Sequence, residues 1–186
     1  MKKTLFIVAG ANGSGKTTFA KNFTDNEKIK FINADEIAKI YDPNDIQKYK
    51  VKAGKQFFKE LKISLDDEYS FAIETTLSGK YLVGVIKEAK EKGFFVSLIY
   101  LFLEEKEENI LRVKNRVLKG GHNVPSEDII RRYYRSRELF WNVYKNMVDD
   151  WSVIFNGDES FDIVAQNDEI YDEELFEILI KNEDTK

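Results

Sequence analysis

Residues 4–18 read Thr4-Leu5-Phe6-Ile7-Val8-Ala9-Gly10-Ala11-Asn12-Gly13-Ser14-Gly15-Lys16-Thr17-Thr18. A β-rich apolar run leads into Gly10 to Thr17, which match G-x-x-x-x-G-K-[ST] in full, and a helical pattern follows. Each residue type has a physical reason. Glycines let the backbone curl until successive N–H groups converge on phosphate oxygens. The start of the following helix adds unpaired donors and a favourable dipole. Lys16 is expected to reach the β- and γ-phosphates of ATP or GTP, and the Thr17 hydroxyl to bind Mg²⁺. Residues 10–18 are therefore the expected nucleotide-binding segment.

Outward from this loop, apolar runs at 4–9, 29–33, 70–74, 94–103, 152–156 and 161–165 alternate with helical patterns. The helical patterns cover 15–23, 34–40, 45–65, 80–92, 105–119, 126–148 and 173–180. Such alternation predicts an α/β fold: a mainly parallel sheet of five to six strands with helices on both faces. The last two strand candidates are separated only by residues 157–160, too few for a crossover helix, so the last strand is expected to be antiparallel. With 186 residues, no repeats, no linker tract and proline only at 43 and 125, the chain reads as one domain, 1–186.

Composition narrows the function. There is no Cys and a single His, His122, which excludes thiolate and His-rich metal sites and fits a reducing cytoplasm. The longest apolar stretch, 94–103, is far too short to cross a membrane, and Lys2-Lys3 with the short run behind it is a poor signal peptide. A net charge of −4 argues against nucleic acid as the main partner.

In open α/β sheets ligands sit beyond the C-terminal ends of the strands. Two acids fall there: Asp35 after Phe31-Ile32-Asn33-Ala34, and Glu74 after Phe71-Ala72-Ile73, followed by Thr75 and Thr76. One carboxylate would accept the proton of an acceptor hydroxyl, and the other would orient substrate or hold metal-bound water. For Asp35 the structural alternative is a helix N-cap. All six arginines, Arg112, Arg116, Arg131, Arg132, Arg135 and Arg137, lie within 112–137, around the turn Gly120-Gly121-His122-Asn123-Val124-Pro125. The chain otherwise uses Lys, so Arg points to forked, bidentate phosphate contacts from a helical lid over about 112–137. Arg137, farthest from the Gly-Gly turn, is expected to tolerate replacement by Lys, and His122 to be a turn residue.

These segments together resemble the zeta-toxin family of P-loop kinases, particularly its short, single-domain members often labelled predicted ABC-type ATPases. The resemblance runs through residues 7–18, 31–35, 71–79 and 116–133. It implies a fold like nucleoside monophosphate kinases and transfer of the ATP γ-phosphoryl group to a small-molecule hydroxyl. In toxin members that molecule is UDP-N-acetylglucosamine, and an antitoxin blocks the nucleotide site. It further implies Asp35 as the catalytic acid–base residue, Glu74 and Thr76 as substrate-binding residues, and Arg116 with Arg131 or Arg132 as lid arginines. Where toxin members carry an Arg shortly after the Glu-x-Thr motif, this chain has Ser78. Two other readings compete. Leu77-Ser78-Gly79-Lys80 and Leu101-Phe102-Leu103-Glu104-Glu105 imitate parts of an ABC-type or regulatory ATPase, and the arginines suit a polynucleotide kinase or nucleic-acid-binding module.

Overall fold

The chain builds its sheet around the most apolar of its early runs, β1 (Thr4–Ala9), whose Leu5, Ile7, Val8 and Ala9 are wholly buried. A computed structural model describes residues 2–43, 45–157 and 160–181. Its other strands are β2 (Lys30–Ile32), β3 (Phe71–Thr75), β4 (Phe95–Phe102), β5 (Asp150–Asn156), β6 (Phe161–Gln166) and β7 (Glu169–Ile170). They form one sheet in the order β2-β3-β1-β4-β5-β6-β7. β2 to β5 run parallel to β1, β6 runs antiparallel to β5, and β7 antiparallel to β6. Near-continuous apolar runs are what a parallel sheet covered on both faces requires.

The helices are α1 (Lys16–Glu27), α2 (Ala34–Tyr41), α3 (Ile46–Asp66), α4 (Leu82–Glu91), α5 (Lys106–Leu118), α6 (Ser126–Asn142) and α7 (Glu173–Ile180). After β1 the chain fills β2 and β3 on one side, then crosses to β4 on the other. The strand order thus reverses at β1, and the crevice beyond its C-terminal end is where such folds take ligands. Register brings the chemistry there: Val8 pairs with Glu74 and Ala9 with Thr75, so the acid stands level with the start of the glycine loop.

The expected α/β architecture holds, with two differences. Among the described residues the sheet has seven strands, because β7 contributes two residues after a turn in which Asn167 takes φ 50°. A strand that short carries no periodicity to read. The helix expected over 126–148 breaks at Val143 and gives way to a 3-10 turn, Tyr144–Asn146, where buried Tyr144 donates its hydroxyl to the Gly79 carbonyl.

α5, the turn after it and the start of α6 share a small core of their own, Val113, Val124 and Ile129, separate from the main one. The later part of α6 belongs to the body: the Tyr100 and Ser136 hydroxyls lie 2.7 Å apart and Phe140 stacks on Tyr100 at 4.7 Å. Arg137 is fixed there too, contrary to the tolerance expected from sequence. It is 5% exposed, donates to the Leu103 carbonyl at 2.6 Å and the Ile178 carbonyl at 3.0 Å, and lies 3.9 Å from the Tyr133 ring centre. One guanidinium therefore ties β4, α6 and α7 together. Arg137→Lys keeps the charge and loses the fork, and should cost about 1–3 kcal/mol of stability. Thermal or urea unfolding checks this; an unchanged midpoint would contradict the brace.

Candidate active site

The glycine loop is curled by its sequence and clamped by asparagines from distant elements. Gly13 has φ 85°, and a Cβ there would stand 2.5 Å from the Asn109 carbonyl oxygen of α5. Nδ2 of buried Asn109 donates to the Asn12 carbonyl at 2.7 Å, and Nδ2 of Asn156 donates to the Ser14 carbonyl at 3.0 Å. Lys16 is 5% exposed and its Nζ donates to the Ala11 carbonyl at 2.6 Å. Burial pulls the Lys16 pKa below the usual lysine value; Glu74 and Asp35 oppose this, while Arg116 and Arg132 reinforce it.

A chain of contacts joins the loop to the two carboxylates. Thr17 Oγ1 donates to Glu74 Oε2 at 2.9 Å, and Asn33 Nδ2 donates to the same oxygen. Asn33 Oδ1 accepts from the backbone N–H groups of Asp35 (2.7 Å) and Glu36 (3.2 Å). Asn33 is therefore the N-cap of α2. Asp35, for which capping was the structural alternative, stands in the first turn with its carboxylate 40% exposed toward the crevice. Burial raises the Glu74 pKa above the ordinary carboxylate value, against the pull of Lys16, Thr17 and Asn33.

Lys16, Thr17, Asp35, Glu74, Thr76, Arg112 and Arg116 line one cavity of about 190 Å³ over the loop. Thr76 Oγ1 lies 2.9 Å from Ser78 Oγ, and between them buried Leu77 takes φ 53°, a left-handed conformation that a bulky residue adopts only under constraint. This cavity is smaller than the open groove of about 730 Å³ beside α6, but only the smaller one contains the converging cations, carboxylates and loop.

The arginines divide. Arg116 reaches the cavity half-buried, with its Nε buried and without a hydrogen-bond partner among the described residues. Burial lowers its pKa, opposed by Asp35 and Glu74. Arg112 also lines the cavity, paired with Glu108 at 2.6 Å. Arg132 Nη1 donates to Asn12 Oδ1 at 2.9 Å, inside the loop. Arg131 does not join them: it is exposed, pairs with Asp128 at 2.7 Å, and lines the wider groove together with Arg135. Helical spacing had placed Arg131 with Arg135 on one face, and the turn before α6 sends that face away from the loop. Glu104 and Glu105, the Walker-B-like pair, border a different groove with Tyr133 and Arg137.

The family model described as zeta toxin matches residues 1–174 of this sequence. The chain belongs to the zeta toxin family. It is thus a P-loop kinase. A protein of Haemophilus influenzae described as uncharacterized is 33% identical over 134 residues, which are 72% of this chain and 94% of that protein. Among solved structures, a chain of the AvrRxo1-ORF1:AvrRxo1-ORF2 complex superposes with TM-score 0.76 at 16% identity, covering 96% of this chain and 64% of that one. This zeta-family chain thus spans less than two thirds of that neighbour's length. A chain of the PezAT chromosomal toxin–antitoxin system of Streptococcus pneumoniae superposes with TM-score 0.66 at 18% identity, over 90% and 73% of the two chains. At such identities the likeness speaks for the fold. Among the described residues, no helix is long and apolar enough to cross a membrane.

The cavity fits a nucleotide's polyphosphate: a curled backbone, a buried ammonium and a guanidinium whose buried Nε has no hydrogen-bond partner among the described residues all meet there. Among the described residues no group of three or more His, Cys, Asp or Glu could hold a metal ion. A magnesium ion brought with the nucleotide would be held by Thr17 Oγ1, whose hydroxyl lies 2.9 Å from Glu74 Oε2. Sequence reading missed Asn33, Asn109 and Asn156. Asn33 did carry a signal, a capping residue ahead of Asp35 and Glu36. Asn109 and Asn156 carried none, because their partners are about a hundred or more residues away.

Proposed function

We propose that the protein transfers the γ-phosphoryl group of ATP to a hydroxyl of a small-molecule acceptor, with Asp35 as general base. The observation that carries this reading is the convergence, in one cavity, of Lys16 and Arg116 over the loop with Asp35 and Glu74 facing them. A pure ATPase needs no second carboxylate at the rim. Asp35 would take the proton as the acceptor oxygen bonds to the γ-phosphorus, and ADP would leave with the bridging oxygen. Lys16, Arg116 and Arg132 would hold the charge that develops on the phosphoryl oxygens. Bound magnesium would neutralise the β- and γ-oxygens. Glu74 and Thr76 would orient the acceptor. Ser78, engaged with Thr76, supplies no cation for an acceptor's phosphates, which counts against a UDP-sugar. GTP in place of ATP, an antitoxin that covers the nucleotide cavity and a role as the toxin of such a pair belong to the same reading.

The test is incubation with γ-labelled ATP and either UDP-N-acetylglucosamine or a cell metabolite extract. Label should appear in an organic product. Label only in inorganic phosphate would replace the kinase reading by a regulatory ATPase. Asp35→Asn should leave ATP affinity within a few-fold while turnover falls roughly 10²–10⁴-fold, the usual worth of a general base. Equal loss of affinity would make Asp35 a metal or binding residue instead.

A further inference from the structure

We propose that His122 is a positioning residue: it holds Asp35 from the lid turn, so that seating the turn and setting the base are one event. The inference rests on the kinase reading above. His122 follows the Gly-Gly pair between α5 and α6. Its side chain is 10% exposed, and its Nε2 lies 3.4 Å from Asp35 Oδ2 and 3.4 Å from Arg116 Nη2. A histidine that merely fills a turn satisfies its ring on backbone or water. Here both contacts of the ring nitrogen are charged groups of the cavity.

The surrounding turn is built to make that contact. Gln47 Nε2 of α3 donates to the Asn123 carbonyl at 3.2 Å, which seats the turn against the α2–α3 side. Arg116 Nη2 donates to the His122 carbonyl at 3.0 Å. Gly121 lets this happen, since a Cβ there would stand 2.5 Å from Arg116 Cγ. One residue therefore holds the base with its side chain and the lid arginine with its carbonyl. Replacing the side chain leaves the second contact in place.

Two neighbours at 3.4 Å make opposite demands on Nε2: the Asp35 carboxylate can only accept and the Arg116 guanidinium can only donate. We place the proton on Nε2, toward Asp35, which leaves Arg116 held by the His122 carbonyl. Burial lowers the His122 pKa; Asp35 opposes this, and Arg116, Lys50 and Lys39 add to it. His122 is thus neutral near pH 7 and orients Asp35 without competing for the acceptor's proton.

His122 is the chain's only histidine, so in tag-free protein its ¹H–¹⁵N correlations stand alone. The Nε2–H tautomer is expected at neutral pH, and Asp35→Asn should lower the imidazole pKa. An Nδ1–H tautomer, or a pKa indifferent to Asp35, would overturn the contact. With γ-labelled ATP and the metabolite extract, His122→Ala should lower kcat roughly 10- to 100-fold with KM for ATP little changed, and His122→Gln, which replaces the Nε2 donor, should recover most of it. In an Asp35→Asn background His122→Ala should add nothing. A loss that tracks thermal stability, is not rescued by Gln, or adds fully to Asp35→Asn marks a structural histidine. If Asp35→Asn alone changes nothing, the base reading fails, while the tautomer still reports the contact.

Discussion

Lys16→Ala is expected to abolish detectable phosphoryl transfer and to remove most triphosphate affinity. Lys16 is the only cation rooted in the loop itself, and its buried ammonium donates to the Ala11 carbonyl and feels the charge of Glu74. Without it the cavity keeps Asp35 and Glu74 and loses the one balancing cation that the loop itself supplies, with Arg112 and Arg116 remaining. A single charge clamp on a transferring phosphoryl group is worth roughly 10²–10⁵ in rate. The fold should not suffer. Burial lowers the Lys16 pKa relative to the unfolded chain, so the charged form is held in the native state at a cost, and the variant's own melting point should be no lower at neutral pH. The measurement is thermal unfolding with and without magnesium–ATP, beside turnover. Wild type should gain stability with nucleotide and the variant should not. Wild-type turnover in the variant would refute nucleotide chemistry at this loop.

Arg116→Lys is expected to cut turnover a hundredfold or more without lowering thermal stability, while Arg131→Lys stays within a few-fold of wild type. Lys would keep the charge and lose the planar fork, which can be worth about 10³–10⁵ when an Arg acts on the transferring group. Arg116 brings its fork into the cavity with Nε buried and without a hydrogen-bond partner among the described residues, whereas Arg131 is exposed and paired with Asp128 on the other face of the turn. Arg132→Lys should fall between them, since its contact is to Asn12 of the loop. The experiment is a kcat and KM series on the three variants with γ-labelled ATP. If all three behave alike and near wild type, the cluster is a solvated charged face, and salt-dependent binding to oligonucleotides becomes the next measurement.

The sequence by itself determined the loop and the strands that carry it. Gly10 to Thr17 work through local backbone geometry, and runs such as 4–9 and 94–103 can only be buried strands, so short-range chemistry was enough. Asp35 and Glu74 were legible for the same reason, since each ends such a run at the ligand-binding edge of the sheet. The tertiary structure decided what local pattern cannot encode. Helical spacing put Arg131 with Arg135 and Arg112 with Arg116, but which pair faces the loop depends on how α6 leaves the turn after α5. Arg137 looked remote from the Gly-Gly turn along the chain and is an internal brace because β4 and α7 pack beside it. Asn109, Asn156 and His122 matter only through partners far away in sequence. A turn residue and a residue that orients a carboxylate look alike until α2 is folded against the turn that carries His122.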